Sequence, residues 1–292
     1  MIAGTLLADA TRRLTEAGVP NPDHDARELL EFVLGTRLRP WSAGAEVTPA
    51  DARRFDDLVT RRVERVPLQH LTGVAYFRHL TLAVGPGVFV PRPETEVMTG
   101  WAIEALGRRA TRCRRRQIVV DLGTGSGAIA WSIATEMPSA RVYAVELSAE
   151  ALRWAERNLA GTDVSLQFGD MADALPELDN RVDLVIANPP YVPLEAYASV
   201  AVEAREHDPT LALFSGQDGL DAIRSLVSTG ARLLRQGGVL TFEHAEVQSE
   251  SAQAVVVGSG CFGLVRDHHD LTRRPRFVTA LRNARPLAGW TK

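Results

Sequence analysis

The chain has 292 residues, of which 33 are basic and 36 acidic, so that its formal net charge is −3. A hydrophobic content of 45% excludes wholesale disorder, and no apolar run approaches the ~20 residues that span a bilayer. The near-neutral charge argues against bulk electrostatic binding of nucleic acid. The two cysteines, Cys113 and Cys261, cannot form a disulfide scaffold. We therefore predict a cytoplasmic protein without a membrane partner.

Residues 1–73 are predicted to form a small helical bundle. Apolar residues recur at helical spacing around Leu14, over residues 26–34 and over residues 52–63. No strand pattern interrupts these three segments. We expect a separate helical domain at this end of the chain.

Residues 74–96 are predicted to form a β-hairpin and a linker. The apolar stretch up to Val84 predicts one strand, Gly85-Pro86-Gly87 a tight turn, and Val88–Val90 a second strand. The acidic residues of Pro91–Glu96 then favour the start of a helix. This segment connects the bundle to the larger part of the chain.

Residues 97–292 alternate strand and helix patterns, which predicts a doubly wound α/β sheet. Short apolar strands are expected near residues 118, 142, 164, 182 and 239. A helix is expected over 218–235, closed by Gly237-Gly238. The last two strands, near 263–266 and 276–281, have only a short connection, so the final strand is predicted to be antiparallel.

A glycine loop, Gly123-Thr124-Gly125-Ser126-Gly127, follows the first strand of this sheet. Such glycines let a ligand approach the backbone at a helix N-terminus, and Glu146, after the next strand, can accept hydrogen bonds from ribose. The loop departs from the dinucleotide pattern because its third glycine comes one position early. A nucleoside-containing cofactor is favoured, with a tight turn lacking any ligand as the alternative.

Asp170 ends the third strand and is a candidate acceptor for the amino group of an adenine. The alternative is an ordinary aspartate at a strand end or helix start. Pattern alone does not separate the two.

The segment Asn188-Pro189-Pro190-Tyr191 ends the fourth strand, where ligands of open α/β sheets bind. The prolines lack N–H groups, so the outward polar atoms are acceptors such as the Asn188 side-chain oxygen and the Pro189 carbonyl. Two acceptors would hold a planar –NH2 group and favour charge that develops on its nitrogen, while Tyr191 would stack on it. The alternative is a rigid turn with structural Asn and Tyr side chains.

The glycine loop and the Asn-Pro-Pro-Tyr segment together resemble amino-group methyltransferases, which modify nucleic-acid bases or glutamine side chains. Three further segments, residues 67–73, 86–96 and 206–221, resemble the bacterial release factor glutamine methyltransferase family (PrmC, also called HemK). A sister family that modifies a ribosomal protein lacks the Arg-Pro-Glu-Thr-Glu form of residues 92–96.

The resemblance implies a class I S-adenosylmethionine-dependent methyltransferase domain behind a helical, substrate-recognising domain. It implies N5-methylation of the glutamine in the Gly-Gly-Gln loop of peptide chain release factors. By the same resemblance, Gly123–Gly127 would bind the methionine end of the cofactor and Glu146 its ribose. Met171 stands where the family commonly has an aromatic residue on adenine. Asn188–Tyr191 would hold the substrate amide, with Asn188 also near the cofactor.

Two other functional classes stay open at this point. A nucleic-acid adenine N6-methyltransferase would require a basic surface, which the balanced charge does not favour. A non-enzymatic nucleotide-binding module would leave the Asn-Pro-Pro-Tyr segment without a role. No metal site is predicted, because Asp267–Asp270 is interpreted as a polar loop. The arginine run at 108–116 is interpreted as a solvated helix end. Its alternative is contact with ribosomal RNA or with the release factor.

Overall fold

A computed structural model describes residues 1–110 and 115–283. These residues form two compact units. The first consists of Met1–Val74, Val84–Pro86 and Ala201–His207, and the second contains the other described residues. The division predicted at residues 73 and 96 stays a prediction. Within the described ranges, no helix has the length and apolar character needed to cross a membrane.

The first unit is built mainly from four helices near the start of the chain: α1 (Ala3–Glu16), α2 (Pro22–Leu34), α3 (Pro49–Val63) and α4 (Leu68–Thr72). The side-chain oxygen of Thr48 accepts a hydrogen bond from the Asp51 backbone N–H and so caps α3. Leu14, Leu29 and Val59 are fully buried where the first three helices meet. The helical segments expected here are present, and α4 is an addition.

An ion-pair cluster attaches a late segment of the chain to this unit. Arg62 Nε donates to Asp25 at 2.7 Å, and Arg62 also binds Glu203 at 3.0 Å. Arg65 binds the second carboxylate oxygen of Glu203 at 2.7 Å. Glu203 lies on the short helix Val202–His207. This helix comes after the Asn-Pro-Pro-Tyr segment in the sequence, but it belongs to the helical unit.

The hairpin differs from the prediction. Its strands are β1 (Val74–Phe77) and β2 (Leu80–Ala83), and the turn lies between them at Arg78, whose φ is +52°. The prediction of a second strand at Val88–Val90 was wrong, because these residues form no strand. Gly87 has a φ of +88° and Pro86 has no N–H, so the chain turns here without pairing, and the apolar side chains are buried in a loop.

The second unit contains a seven-stranded sheet in the order β5-β4-β3-β6-β7-β9-β8. Its strands are β3 (Ile118–Leu122), β4 (Arg141–Glu146), β5 (Ser165–Phe168), β6 (Val182–Ala187), β7 (Leu234–Glu243), β8 (Phe262–His269) and β9 (Pro275–Arg282). Neighbours from β5 to β7 are parallel, and β9 is antiparallel to both β7 and β8. The predicted fold class, with its antiparallel last strand, is confirmed.

Helices cover this sheet: α5 (Pro93–Ala110), α6 (Ala128–Glu136), α7 (Ala149–Leu159), α10 (Asp221–Leu233) and α11 (Ser249–Gly258). The helix Val202–His207 of the first unit is α8, and the short helix α9 (Thr210–Leu213) lies in the connection between α8 and α10. The helix expected over 218–235 is shorter, because β7 begins directly at Leu234. Gly238 therefore lies within a strand and does not end a helix. A Cβ there would come within 3.0 Å of the Val182 carbonyl oxygen, so only glycine fits this irregular pairing of β6 and β7.

Candidate active site

The strand order reverses direction between β3 and β6, which are neighbours in the middle of the sheet. The register pairs Asp121 with Ile186, so the glycine loop and Asn188 leave the sheet side by side. Adjacent strands lie about 4.8 Å apart. This switch point is where ligands of open α/β sheets bind, and it brings the two motifs predicted from sequence together.

The glycine loop presents open backbone at two positions. Gly123 and Gly125 have φ values of +73° and +58°, and a Cβ on either would meet no atom within 4 Å. Gly127 has a different role, because a Cβ there would come within 3.1 Å of Leu159 on α7. The first two glycines therefore leave room for a ligand, and the third lets two helices pack closely.

Asp121, just before the loop, was missed by the sequence analysis. Its Oδ2 accepts hydrogen bonds from Thr124 Oγ1 at 2.6 Å and from the Ala130 N–H at 3.1 Å. Its Oδ1 is buried and has no hydrogen-bond partner among the described residues. Burial raises the pKa of this carboxyl to about 7. A ligand that donates a hydrogen bond to Oδ1 would satisfy it.

Glu146 closes the other side of the loop. Its Oε2 accepts from the Gly125 N–H and its Oε1 from the Ser148 N–H, both at 2.8 Å. A carboxylate oxygen can accept more than one hydrogen bond, so Glu146 holds the loop in place and retains capacity for a ligand. Its predicted contact with ribose stays a prediction.

Asp170 and Met171 follow the edge strand β5. Asp170 is exposed and its Oδ1 accepts from the Ala172 N–H at 2.9 Å, which stabilises a local turn. Met171 is half-buried and packs against the apolar core of the second unit. Their predicted contacts with adenine stay predictions.

The Asn-Pro-Pro-Tyr segment, Asn188–Tyr191, follows the fully buried strand β6. Asn188 Nδ2 donates to Thr95 Oγ1 at 3.1 Å, and Thr95 in turn donates to Glu243 Oε2 at 2.7 Å. Tyr191 Oη donates to the other oxygen of Glu243 at 3.2 Å. Pro189 is buried and Pro190 half-buried, and neither has an N–H to offer. One carboxylate therefore supports both polar side chains of the segment.

Sequence reasoning assigned no role to Thr95 or Glu243. Thr95 is in the first turn of α5, and Glu243 ends β7, at the same edge of the sheet as Asn188. Burial raises the pKa of the Glu243 carboxyl to about 7, and burial also raises the pKa of the Tyr191 hydroxyl. The signal that could have found Glu243 is an acidic residue at the carboxyl end of a central strand.

A close approach of backbone supports the same segment. Gly219 has a φ of +75°, and a Cβ there would come within 2.3 Å of the Tyr191 carbonyl oxygen. Gln248 Nε2 donates to that oxygen at 2.9 Å and to the Asp218 carbonyl at 3.2 Å. Gly219 and Asp218 belong to the segment 206–221, which was noted above for its family resemblance, and this segment thus helps to fix the backbone at Tyr191.

An ion pair joins the segment 86–96 to the segment 206–221. Arg92 donates to the Asp208 carboxylate at 2.7 Å, and the Asp208 side chain is fully buried. The Arg92 guanidinium also lies 4.9 Å from the centroid of the Phe89 ring. The linker and the chain beyond the Asn-Pro-Pro-Tyr segment are thereby held together.

The stretch Asp267–Asp270 was expected to be a polar loop, which is wrong: Asp267–His269 belong to β8 because they pair with β9, and only Asp270 follows the strand. Asp267 accepts from Ser249 and contacts His244, and the described residues include no group of three or more His, Cys, Asp or Glu side chains that could hold a metal ion. Arg109 donates to the Gly237 carbonyl, and Arg115 pairs with buried Asp183. Arg109 is therefore half-buried, whereas Arg115 stays exposed to solvent while it pairs. Residues 111–114, including Cys113, lie outside the described residues.

The glycine loop fits the methionine and adenosine parts of S-adenosylmethionine on two observations. Open space lies in front of Gly123 and Gly125, and a buried Asp121 oxygen lacks a donor. The sequence profile of the methyltransferase small domain matches residues 80–204, and that of the PrmC N-terminal domain matches residues 5–73. Together with the seven-stranded sheet, these features define a class I methyltransferase.

Relatives identify the family within this class. A Streptomyces coelicolor protein named release factor glutamine methyltransferase is 52% identical over 277 residues, covering 94% of this chain and 96% of its own. A Mycolicibacterium smegmatis protein of the same name is 45% identical, covering 96% and 98%. A Streptomyces pristinaespiralis protein, named 4-amino-L-phenylalanine/4-methylamino-L-phenylalanine methyltransferase, is 40% identical, covering 90% and 94%. The chain belongs to the release factor glutamine methyltransferase family.

Proposed function

We propose that this enzyme transfers a methyl group from S-adenosylmethionine to the side-chain nitrogen, N5, of the glutamine in the Gly-Gly-Gln loop of peptide chain release factors. The observation that carries this proposal is the pairing of β3 with β6, which places the open glycine loop beside Asn188. A methyl-donor site and a site for a planar amide would thereby be neighbours. The names of the relatives support the choice of substrate.

The glycine loop and its two acids would hold the cofactor, which supplies an electrophilic methyl group on a sulfonium. Gly123 and Gly125 admit it close to the backbone, and Asp121 Oδ1 accepts a hydrogen bond from it. Glu146 fixes the loop by accepting a hydrogen bond from the Gly125 N–H. These contacts orient the donor and supply the proximity term of catalysis.

The Asn-Pro-Pro-Tyr segment would hold the substrate amide. The Asn188 side-chain oxygen and the Pro189 carbonyl accept the two amide hydrogens, which favours positive charge on the nitrogen as it attacks the methyl group. Tyr191 covers the flat amide and excludes water. A nitrogen–carbon bond would form as the sulfur–carbon bond breaks, and the nitrogen would release one proton to solvent after methyl transfer, giving N5-methylglutamine and S-adenosylhomocysteine.

A label-transfer assay tests the proposal. The purified enzyme is given methyl-labelled S-adenosylmethionine with one of four acceptors: a release factor, its variant with alanine for the loop glutamine, duplex DNA, or 4-amino-L-phenylalanine. We expect label on the unmodified release factor alone. Label on DNA but not on the release factor would support the adenine N6 alternative instead. Label on the free amino acid but not on the release factor would also reject the proposal.

The first unit is proposed to recognise the release factor outside its Gly-Gly-Gln loop. Because the substrate acts in translation, the cytoplasm is the proposed location of the enzyme. Direct nucleic-acid binding is not expected with balanced charge, although contact with the ribosome stays an open alternative.

A further inference from the structure

Three elements distant in sequence meet behind Asn188. Thr95 comes from the first turn of α5, Glu243 from the end of β7, and Asn188 from the end of β6. Thr95 is 4% exposed and Glu243 is 1% exposed, so water does not compete for their hydrogen bonds. The three side chains form one chain of hydrogen bonds with Glu243 as its terminal acceptor.

The direction of this chain is fixed by the single hydroxyl proton of Thr95. An ionised carboxylate only accepts hydrogen bonds, so the Thr95 proton points to Glu243. Towards Asn188, the Thr95 oxygen can therefore only accept, which selects the –NH2 arm of the Asn188 amide. The carbonyl oxygen of that planar amide then points away from Thr95.

We propose that Thr95 and Glu243 are positioning residues that fix the amide of Asn188 with its carbonyl oxygen towards the substrate nitrogen. This inference rests on the proposed function and deepens it. A reversed Asn188 would present its own –NH2 group to the –NH2 group of the substrate, so two donors would face each other. The hydrogen-bond chain excludes that arrangement before the substrate binds.

Protonation of Glu243 reverses the chain. A protonated carboxyl can donate to Thr95, whose hydroxyl then donates to Asn188 and attracts its carbonyl oxygen. Two charged groups act on Glu243: Arg276 on β9 favours its ionised form, and Glu94 on α5 disfavours that form. Besides Thr95, Glu243 accepts a hydrogen bond from Tyr191. The pKa of Glu243 is raised to about 7 by burial. Activity should therefore rise with pH through this value.

Two substitutions of Thr95 separate its hydroxyl from its shape. Thr95→Val keeps the shape and removes the hydroxyl, whereas Thr95→Ser keeps the hydroxyl. With a release factor as substrate, we expect Thr95→Val to lower kcat about 10- to 100-fold and Thr95→Ser to lower it less than about threefold. The dissociation constant for S-adenosylmethionine should stay within about twofold of wild type in both. Full turnover by Thr95→Val, or equal losses in both variants, would overturn the inference.

A second measurement needs neither substrate nor activity. The side-chain amide resonance of Asn188 is followed by ¹⁵N NMR in the ligand-free enzyme and is assigned by its loss in Asn188→Asp. In the wild type we expect it to shift with a midpoint at the pH where Glu243 titrates. Glu243→Gln should abolish that titration. An Asn188 resonance that is the same in the wild type, Thr95→Val and Glu243→Gln at every pH between 5 and 9 would overturn the inference.

The two failures are distinguishable. Absence of label on the release factor with the wild-type enzyme would reject the proposed function, whatever the NMR shows. An Asn188 resonance that neither Thr95→Val nor Glu243→Gln alters, beside normal methylation, would reject only the positioning role of Thr95 and Glu243.

Discussion

At the scale of single residues, the decisive feature is the polarity of Asn188. Its Nδ2 is used by Thr95, which leaves the carbonyl oxygen as the group that can accept from a substrate. Methyl transfer to an amide needs such an acceptor because the nitrogen lone pair is delocalised. A half-buried side chain with a fixed orientation provides it without reorganisation.

Replacement of this acceptor gives the first prediction. Asn188→Ala is expected to lower kcat for the release factor about 10²- to 10³-fold, because one of the two acceptors on the developing charge is lost. Binding of S-adenosylmethionine, measured by calorimetry, should change far less, since the glycine loop is untouched. Retained turnover would remove Asn188 from its proposed role.

Met171 gives a prediction about the cofactor. An aromatic ring covers adenine better than a thioether, and aromatic pairs contribute about 0.5–1.5 kcal/mol beyond area burial. Met171→Trp is therefore expected to lower the dissociation constant for S-adenosylmethionine several-fold. Met137→Trp, at the half-buried C-cap of α6, is the matched control and should leave it unchanged. Equal affinities for wild type and Met171→Trp would mean that residue 171 does not cover adenine.

At the scale of elements, the loop before α10 decides how the Asn-Pro-Pro-Tyr segment is held. Gly219 lies against the Tyr191 carbonyl, and Gln248 donates to the same oxygen. Gly219 and Gln248 have no proposed contact with the substrate, and both act on the backbone of Tyr191. They fix the backbone on which Pro189 and Tyr191 depend.

Two glycines of similar conformation make this testable. Gly219→Ala adds a Cβ 2.3 Å from the Tyr191 carbonyl oxygen, so we expect a loss of activity of at least about tenfold from the displaced segment. Gly161 has a φ of +81° with open space around it, so Gly161→Ala carries only the backbone strain. We expect it to lower stability by about 1 kcal/mol and to leave kcat unchanged. Equal activity of the two variants would show that strain alone matters.

At the scale of the whole molecule, buried carboxyls make stability depend on pH. Burial raises the pKa of Asp121 and of Glu243 to about 7, well above the ordinary range for carboxyls. Their contribution to stability is therefore fully present below about pH 4 and is lost as the pH rises through 7. Glu203 acts in the opposite sense: burial alone would raise its pKa, but hydrogen bonds from Arg65 and Arg62 outweigh this and lower it to about 2. Its contribution is lost only as the pH falls towards 2.

The ligand-free enzyme is accordingly expected to be most stable near pH 4 and to lose several kcal/mol of unfolding free energy, on the order of 1.4 kcal/mol per unit of pKa shift, between pH 4 and 7. Urea unfolding across that range measures the loss. The double variant Asp121→Asn, Glu243→Gln lacks both titrations, so its stability should fall less steeply. Parallel pH profiles for the two proteins would contradict this account.

The local sequence by itself determined the features that depend on neighbouring residues. The helices of the first unit, the buried strand β6 and the glycine loop follow from apolar spacing, capping residues and glycine conformation, and they were predicted in place. The Asn-Pro-Pro-Tyr segment is equally local, because prolines remove donors wherever they stand. Its resemblance to a known family depended on these same short segments.

Only the tertiary structure decided which side chains support the site. Thr95 and Glu243 are 148 residues apart, and nothing in the sequence around either indicates that they share a hydrogen bond. The same holds for Gly238, whose glycine signal predicted a helix end until the pairing of β6 with β7 showed a strand. Contacts between adjacent parallel strands are set by the order of strands in the sheet, and that order is a property of the packed chain, which local spacing does not encode.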